Sequence, residues 1–189
     1  MTQFAYRDAT EADIPALIAL VTSAYRGDAS RVGWTTEADI LDGQRIDAAM
    51  LHEDLQRPQS VILLAEETRD DTPPRLIACA HIAVEHGDDD GSDDGRDAAY
   101  FGMFSVRPEL QGGGIGRMVL DEAERLARER FACTRMRMTV IDCRDELIAY
   151  YERRGYRRTG IKKPFPHGNP RYGLPKRDDL QFEVLEKPL

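Results

Sequence analysis

The sequence predicts an α/β or α+β sandwich, and three observations carry that prediction. Seven separate segments are apolar or alternate with the two-residue period of a strand. Helical stripes lie between them along the whole chain, not gathered at one end. Some neighbouring strands are joined by a tight turn and others by a helix, which mixes antiparallel hairpins with helix-crossed pairing. At 189 residues, one domain over residues 1–189 with its own core is expected.

The elements follow in order. Residues 4–7 read as a first strand. Thr10 is placed to cap a helix, with Asp13 positioned to close a capping box. Ile14, Leu17, Ile18 and Val21 continue as a helical stripe to about Tyr25. Residues 26–34 form a loop that carries Trp34, the single tryptophan. Thr35 or Thr36 then caps a second helix from about Glu37, which Asp42-Gly43 breaks, and residues 47–56 give another, stopped before Pro58. Residues 60–66, with the run Val61-Ile-Leu-Leu-Ala65, and residues 76–85 are strands that form a hairpin across a 70–74 turn. Residues 86–97 hold six aspartates and no apolar residue. They are expected as an acidic surface loop, and they lack the closing glutamate of a calcium loop.

The centre of the chain is the stretch from Tyr100 to Arg117. Residues 99–106 are a buried strand, which Pro108 closes because proline cannot donate to a ladder. Gln111 to Gly116 is a glycine-rich turn, and Ile115 opens an amphipathic helix through Val119, Ala123, Leu126 and Ala127 to about Arg130. A strand, a glycine turn and a helix N-terminus make an anion site, since the first helical N–H groups have no intrahelical partner. The turn is not a phosphate loop of the Gly-Lys-Ser type, because Arg117-Met118 follows Gly116. Nor is it Gly-x-Gly-x-x-Gly, because position 117 is arginine. Residues 135–142 form a strand, residues 145–154 a helix with Gly155 just past its end, and residues 156–162 a strand. A proline-rich loop over 164–175 precedes a last strand at 182–185.

Composition narrows the partners. A net charge of −8 argues against nucleic acid. No apolar run is long enough to span a membrane, and the N-terminus lacks a signal-peptide core. Cys79, Cys133 and Cys143 have no metal spacing, so reduced thiols, a cytoplasmic location and no metal are expected. A homodimer is left open.

Gln111, Gly114 and Gly116 fill Gln-x-x-Gly-x-Gly, and Tyr150-Tyr151-Glu-Arg-Arg-Gly155-Tyr156 follows about 35 residues later. Together these resemble the GCN5-related N-acetyltransferase (GNAT) superfamily, in an uncharacterised bacterial branch, with the specific motifs over residues 99–160. The resemblance implies a mixed, mostly antiparallel sheet of about seven strands with helices on both faces. It also implies acetyl-CoA as co-substrate, and transfer of its acetyl group to a primary amine of a small molecule or amino acid. Phe104, Ser105 and Val106 would meet the pantetheine arm, and Gln111, Gly112, Gly113, Gly114, Ile115, Gly116 and Arg117 the pyrophosphate. Tyr151 would face the sulfur as general acid.

The implied reaction can be costed. An alkylamine is neutral in about one molecule in 2,500 at pH 7, worth about 4.6 kcal/mol. The tetrahedral oxyanion needs a donor, and a strand N–H around Phe104 is the natural one. Two positions depart from the family pattern. Tyr100 stands where the histone-acetylating branch has its glutamate base, which leaves the base unassigned among Glu85, Asp97 and His81. Arg144 stands where an asparagine often contacts the pantetheine arm. The acceptor site is expected from residues 25–42 and 164–176, with Trp34, Glu37, Phe165 and His167 as its candidates, and carboxylates beside aromatics would suit a cationic amine. A peptide or protein acetyltransferase, or a non-catalytic acyl-CoA sensor, are the alternatives.

Overall fold

The computed structural model describes residues 3–70, 72–86 and 97–189. Nine strands appear among them: β1 (Gln3–Asp8), β2 (Leu41–Asp42), β3 (Ser60–Thr68), β4 (Arg75–Glu85), β5 (Ala98–Val106), β6 (Arg135–Ile141), β7 (Arg157–Pro164), β8 (Leu174–Pro175) and β9 (Gln181–Pro188). Five α-helices join them: α1 (Ile14–Tyr25), α2 (Gly27–Ser30), α3 (Ala48–Gln56), α4 (Ile115–Glu129) and α5 (Asp145–Glu152). Seven strands form one sheet in the order β1-β3-β4-β5-β6-β9-β7, and β2 pairs with β8 apart from it. The pairings in the large sheet are antiparallel, except that β5 and β6 run parallel. The sheet is therefore mixed and mostly antiparallel.

Helices cover both faces. On one, Leu17, Leu20, Val21 and Leu51 of α1 and α3 pack on Ile62, Leu64, Cys79 and Met103. On the other, Val119, Ala123 and Ala127 of α4 and Ile148 of α5 pack on Leu63, Ala80, Ile82, Phe101 and Met136. Strand alternation sends neighbouring residues to opposite faces, so β3 and β4 carry unbroken apolar runs.

Two irregularities of β5 position the site. Its pairing with β6 covers only Ala99↔Met136 and Tyr100↔Arg137. Beyond Tyr100 the two strands part. On the β4 side the register shifts between Cys79 and His81, and opposite this bulge Met103 takes φ of 48°, a left-handed conformation that costs a side-chain-bearing residue. Gly102 sits beside it because a Cβ there would lie 2.5 Å from the Tyr100 ring.

The structure corrects the sequence reading in two places. Residues 37–42 are not a helix. Ile40 and Leu41 donate to the Glu37 carbonyl and close a single turn, after which Leu41–Asp42 pairs with Leu174–Pro175. The segment before Gly43 is too short to recover the cost of helix nucleation, and the partner strand lies far along the chain. The 26–34 loop, in turn, contains the short helix α2. The expected acidic loop lies outside the described residues except at its ends, where exposed His86 and Asp97 pair at 3.1 Å. No helix among the described residues is long and apolar enough to cross a membrane.

Candidate active site

The glycine turn is held from outside by one side chain. Gln111 Nε2 donates to the Val106 carbonyl at 3.0 Å and to Thr35 Oγ1 at 2.9 Å. Its Oε1 accepts from the Trp34 and Thr35 amides at 2.9 and 3.3 Å. Gln111 thus ties the end of β5 to the 33–36 segment, and Gly33 lies close against it, where a Cβ would come 2.5 Å from Gln111 Oε1 and push that side chain aside. Gly114 caps α4 with φ of 90°. Arg117 and Met118 are the residues that donate back to the Gly114 carbonyl, so the amides before them have no helical acceptor and face outward.

A cavity of about 510 Å³ opens between the parted end of β5, the glycine turn and α5. Phe104, Val106, Gln111, Gly112, Gly114, Gly116 and Arg117 line it, together with Trp34 and Tyr151. Of the remaining sequence-predicted contacts, Ser105 is buried and turns its hydroxyl to the Met103 carbonyl at 3.2 Å. Ile115 packs on the core, and Gly113 lies in the turn without lining the cavity.

A second cavity of about 240 Å³ lies behind the first, and the two share Tyr25, Phe104, Leu147 and Tyr151. Glu37, Phe165 and Arg144 line the second. Arg144 therefore departs from its expected place along the first cavity: its guanidinium reaches Glu37 Oε1 at 3.2 Å and the Thr35 carbonyl at 2.8 Å. Trp34 is on the first cavity instead, with its ring 5.3 Å from that of Tyr150. His167 lines neither: it is exposed, with its ring edge-on to Phe165 at 5.3 Å.

Where the cavities meet, three groups converge. Tyr25 donates its hydroxyl to the Phe104 carbonyl. Tyr151 is buried. Burial, followed by the neighbouring Tyr25 and Tyr150 hydroxyls, pushes its pKa well above the ordinary tyrosine value. Tyr151 therefore holds its proton at neutral pH and is available as a donor. Tyr25 and Tyr100 are pushed up by burial in the same way.

The second cavity contains a single carboxylate, Glu37, and it is not free. Arg26 Nη1 meets Glu37 Oε2 at 2.5 Å, while Arg144 holds the other oxygen. A carboxylate already paired with two guanidiniums has little left to offer a further cation. The picture of acidic groups awaiting a cationic amine is corrected on this point. His81 is no base here, since it lines neither cavity, bonds Ser60 Oγ at 2.8 Å and is pushed down to about 4 by burial. No group of three metal-ligating side chains occurs among the described residues.

The expected acceptor segment, residues 25–42, includes Tyr25 and Arg26 without singling either out, and Arg45 lies outside it. Only the approach of residues far apart in the chain gives them a role.

A mixed sheet parted beside a glycine-turned helix is the architecture of the N-acetyltransferases it superposes on. A putative phosphinothricin N-acetyltransferase is 15% identical, with a TM-score of 0.66 and 99% of each chain covered. Ribosomal-protein-alanine N-acetyltransferase from Brucella melitensis is 23% identical, with a TM-score of 0.63, 98% of this chain and 99% of that chain covered. Arabidopsis thaliana NAA60 in complex with acetyl-CoA is 13% identical, with a TM-score of 0.69 and 99% of each chain covered. No curated protein matches the sequence closely enough to count as a relative. The chain belongs to the Acetyltransferase (GNAT) family, whose model matches residues 20–156. It is an acyl-CoA-dependent N-acetyltransferase.

Proposed function

We propose that the protein transfers an acetyl group from acetyl-CoA to the primary amine of a small molecule by direct attack. The observation that carries this reading is the meeting of two cavities at Tyr25, Phe104 and Tyr151. The first cavity suits the coenzyme. The left-handed Gly112 and Gly114 leave their outward side open, and the free amides of α4 face an anion there. The exposed edge of β5 from Phe104 to Val106 would pair with the pantetheine amides as an added strand would. Acetyl-CoA supplies an activated thioester, and the protein orients it. The second cavity, about 240 Å³ and lined by Leu41, Phe165 and Tyr172 among others, suits a small acceptor better than a folded protein.

The amine nitrogen bonds to the carbonyl carbon, the carbon–sulfur bond breaks, and the amine proton leaves to water because no free carboxylate lines the acceptor cavity. The Phe104 N–H serves the oxyanion, and the Tyr25 hydrogen bond to the next peptide holds that stretch of backbone in place. Tyr151 gives its proton to the leaving thiolate. Acetyl-CoA and ATP titrations by calorimetry, followed by thiol release over an amine panel, test the reading. Tyr151→Phe is expected to lower kcat by about 10²-fold and to leave acetyl-CoA affinity unchanged.

A further inference from the structure

The acceptor cavity is cationic. Three guanidiniums line it, those of Arg26, Arg45 and Arg144, against the one carboxylate of Glu37. Glu37 offsets a single charge. Arg26 is almost fully buried, with its side chain 5% exposed, and its Nε and Nη2 are buried without a hydrogen-bond partner among the described residues. Those two atoms are closed off inside the protein, with Nη2 beside Gly173 near the Asp42 and Gln44 carbonyls, so Arg26 lends the cavity its charge and no open donor. Arg45 is half-buried and lies over the Tyr25 ring, 5.1 Å from its centroid. No carboxylate among the described residues pairs with it.

We propose that the acceptor is an amine that also carries a carboxylate, an amino acid or a close analogue, and that Arg45 binds the carboxylate in a cavity that Arg26 and Arg144 help keep cationic. This rests on the transferase reading above. Tyr25 links the two ends. Its hydroxyl is fixed on the Phe104 carbonyl at the reaction centre, and its ring face carries Arg45. A guanidinium binds a carboxylate by paired hydrogen bonds, which an amide or a hydrogen atom in its place cannot provide. A polyamine would meet repulsion in the same cavity.

The test compares matched trios built on common amino-acid side chains: the free amino acid, its C-terminal amide and the decarboxylated amine. Each is assayed for thiol release, with acetyl-CoA affinity measured on the same preparation. The expected result is turnover of free acids, with kcat/KM lower by about 10- to 100-fold for amide and amine. Arg45→Gln is expected to raise KM for the acid by a similar factor and to narrow the gap between acid and amide, while Arg45→Lys recovers part of it. A preference for amides, amines, polyamines or peptides would overturn the proposal and leave the transferase reading standing. Acetyl-CoA binding with no acid turned over would also overturn it. Absence of acetyl-CoA binding would instead remove the transferase reading itself.

Discussion

His81 and Asp54 lie 3.7 Å apart under α3, and burial shifts them in opposite directions. His81 is pushed down to about 4, with nearby Arg57 adding to the effect of burial. Asp54 is pushed up to about 6, mainly by burial and against the pull of Arg57. Between pH 6.5 and 4 the unfolded chain takes up a proton that folded His81 refuses. Its contribution is complete above 6.5 and is lost as the pH falls, by up to about 3 kcal/mol. Folded Asp54 retains its proton between its ordinary value and about 6, so its contribution is lost as the pH rises through that window. The two oppose each other near pH 5. Denaturant unfolding of the native protein between pH 4 and 6 is expected to vary little from this pair. His81→Gln removes one side of the balance, and its stability should then fall as the pH rises over the same range. A variant whose profile parallels the native one would show that the two groups do not titrate this way.

The glycine turn separates two kinds of cost within one element. Gly114 has φ of 90°, and a Cβ there would meet nothing within 4 Å. Gly114→Ala should therefore cost about 1–2 kcal/mol in conformational strain, read as a lower unfolding midpoint. Gly116 is helical, and a Cβ there would lie 3.0 Å from the Tyr150 hydroxyl and 3.3 Å from Phe104 Cζ. Gly116→Ala should keep most of the stability and lose at least about tenfold in acetyl-CoA affinity, because the added methyl narrows the coenzyme cavity. Equal effects of the two changes on affinity and on the unfolding midpoint would contradict the distinction. The turn was legible because its meaning is local: proline closes a strand, glycines turn the chain, and an apolar period begins. The turn at Glu37 was not, since what competes with a helix there is Arg26, Arg144 and a strand that begins at Leu174. Arg144 was misplaced for the same reason, its partners Glu37 and Thr35 being 107 and 109 residues away.

At the scale of the molecule, strand identity and helix placement could be read from periodicity, and the order of strands in the sheet could not. The insertion of β9 between β6 and β7 depends on the last residues of the chain returning to the middle. The sign of charge in the acceptor cavity was hidden in the same way. A net charge of −8 describes the surface of the whole chain, whereas the cavity gathers three arginines from segments of different elements. The role of Tyr25 became visible only through a hydrogen bond spanning 79 residues.

The short pairing of β5 with β6 bears on how the protein endures. It joins a four-strand panel to a three-strand panel by two residue pairs, so the sheet has a seam that its own backbone leaves largely unsewn. An extended coenzyme arm laid along Phe104 to Val106 would act as the missing thread. The metabolite would then be a structural part of the fold as well as a reactant, and its abundance would set the lifetime of the protein. Saturation at one hundred times Kd adds about 2.7 kcal/mol to any folded state that binds it. At this seam the gain should be concentrated. Hydrogen exchange with acetyl-CoA present should slow most at the amides of residues 101–106 and 138–141, and far less in β1 and β3. Uniform slowing across the whole sheet would mean that the two panels were already one.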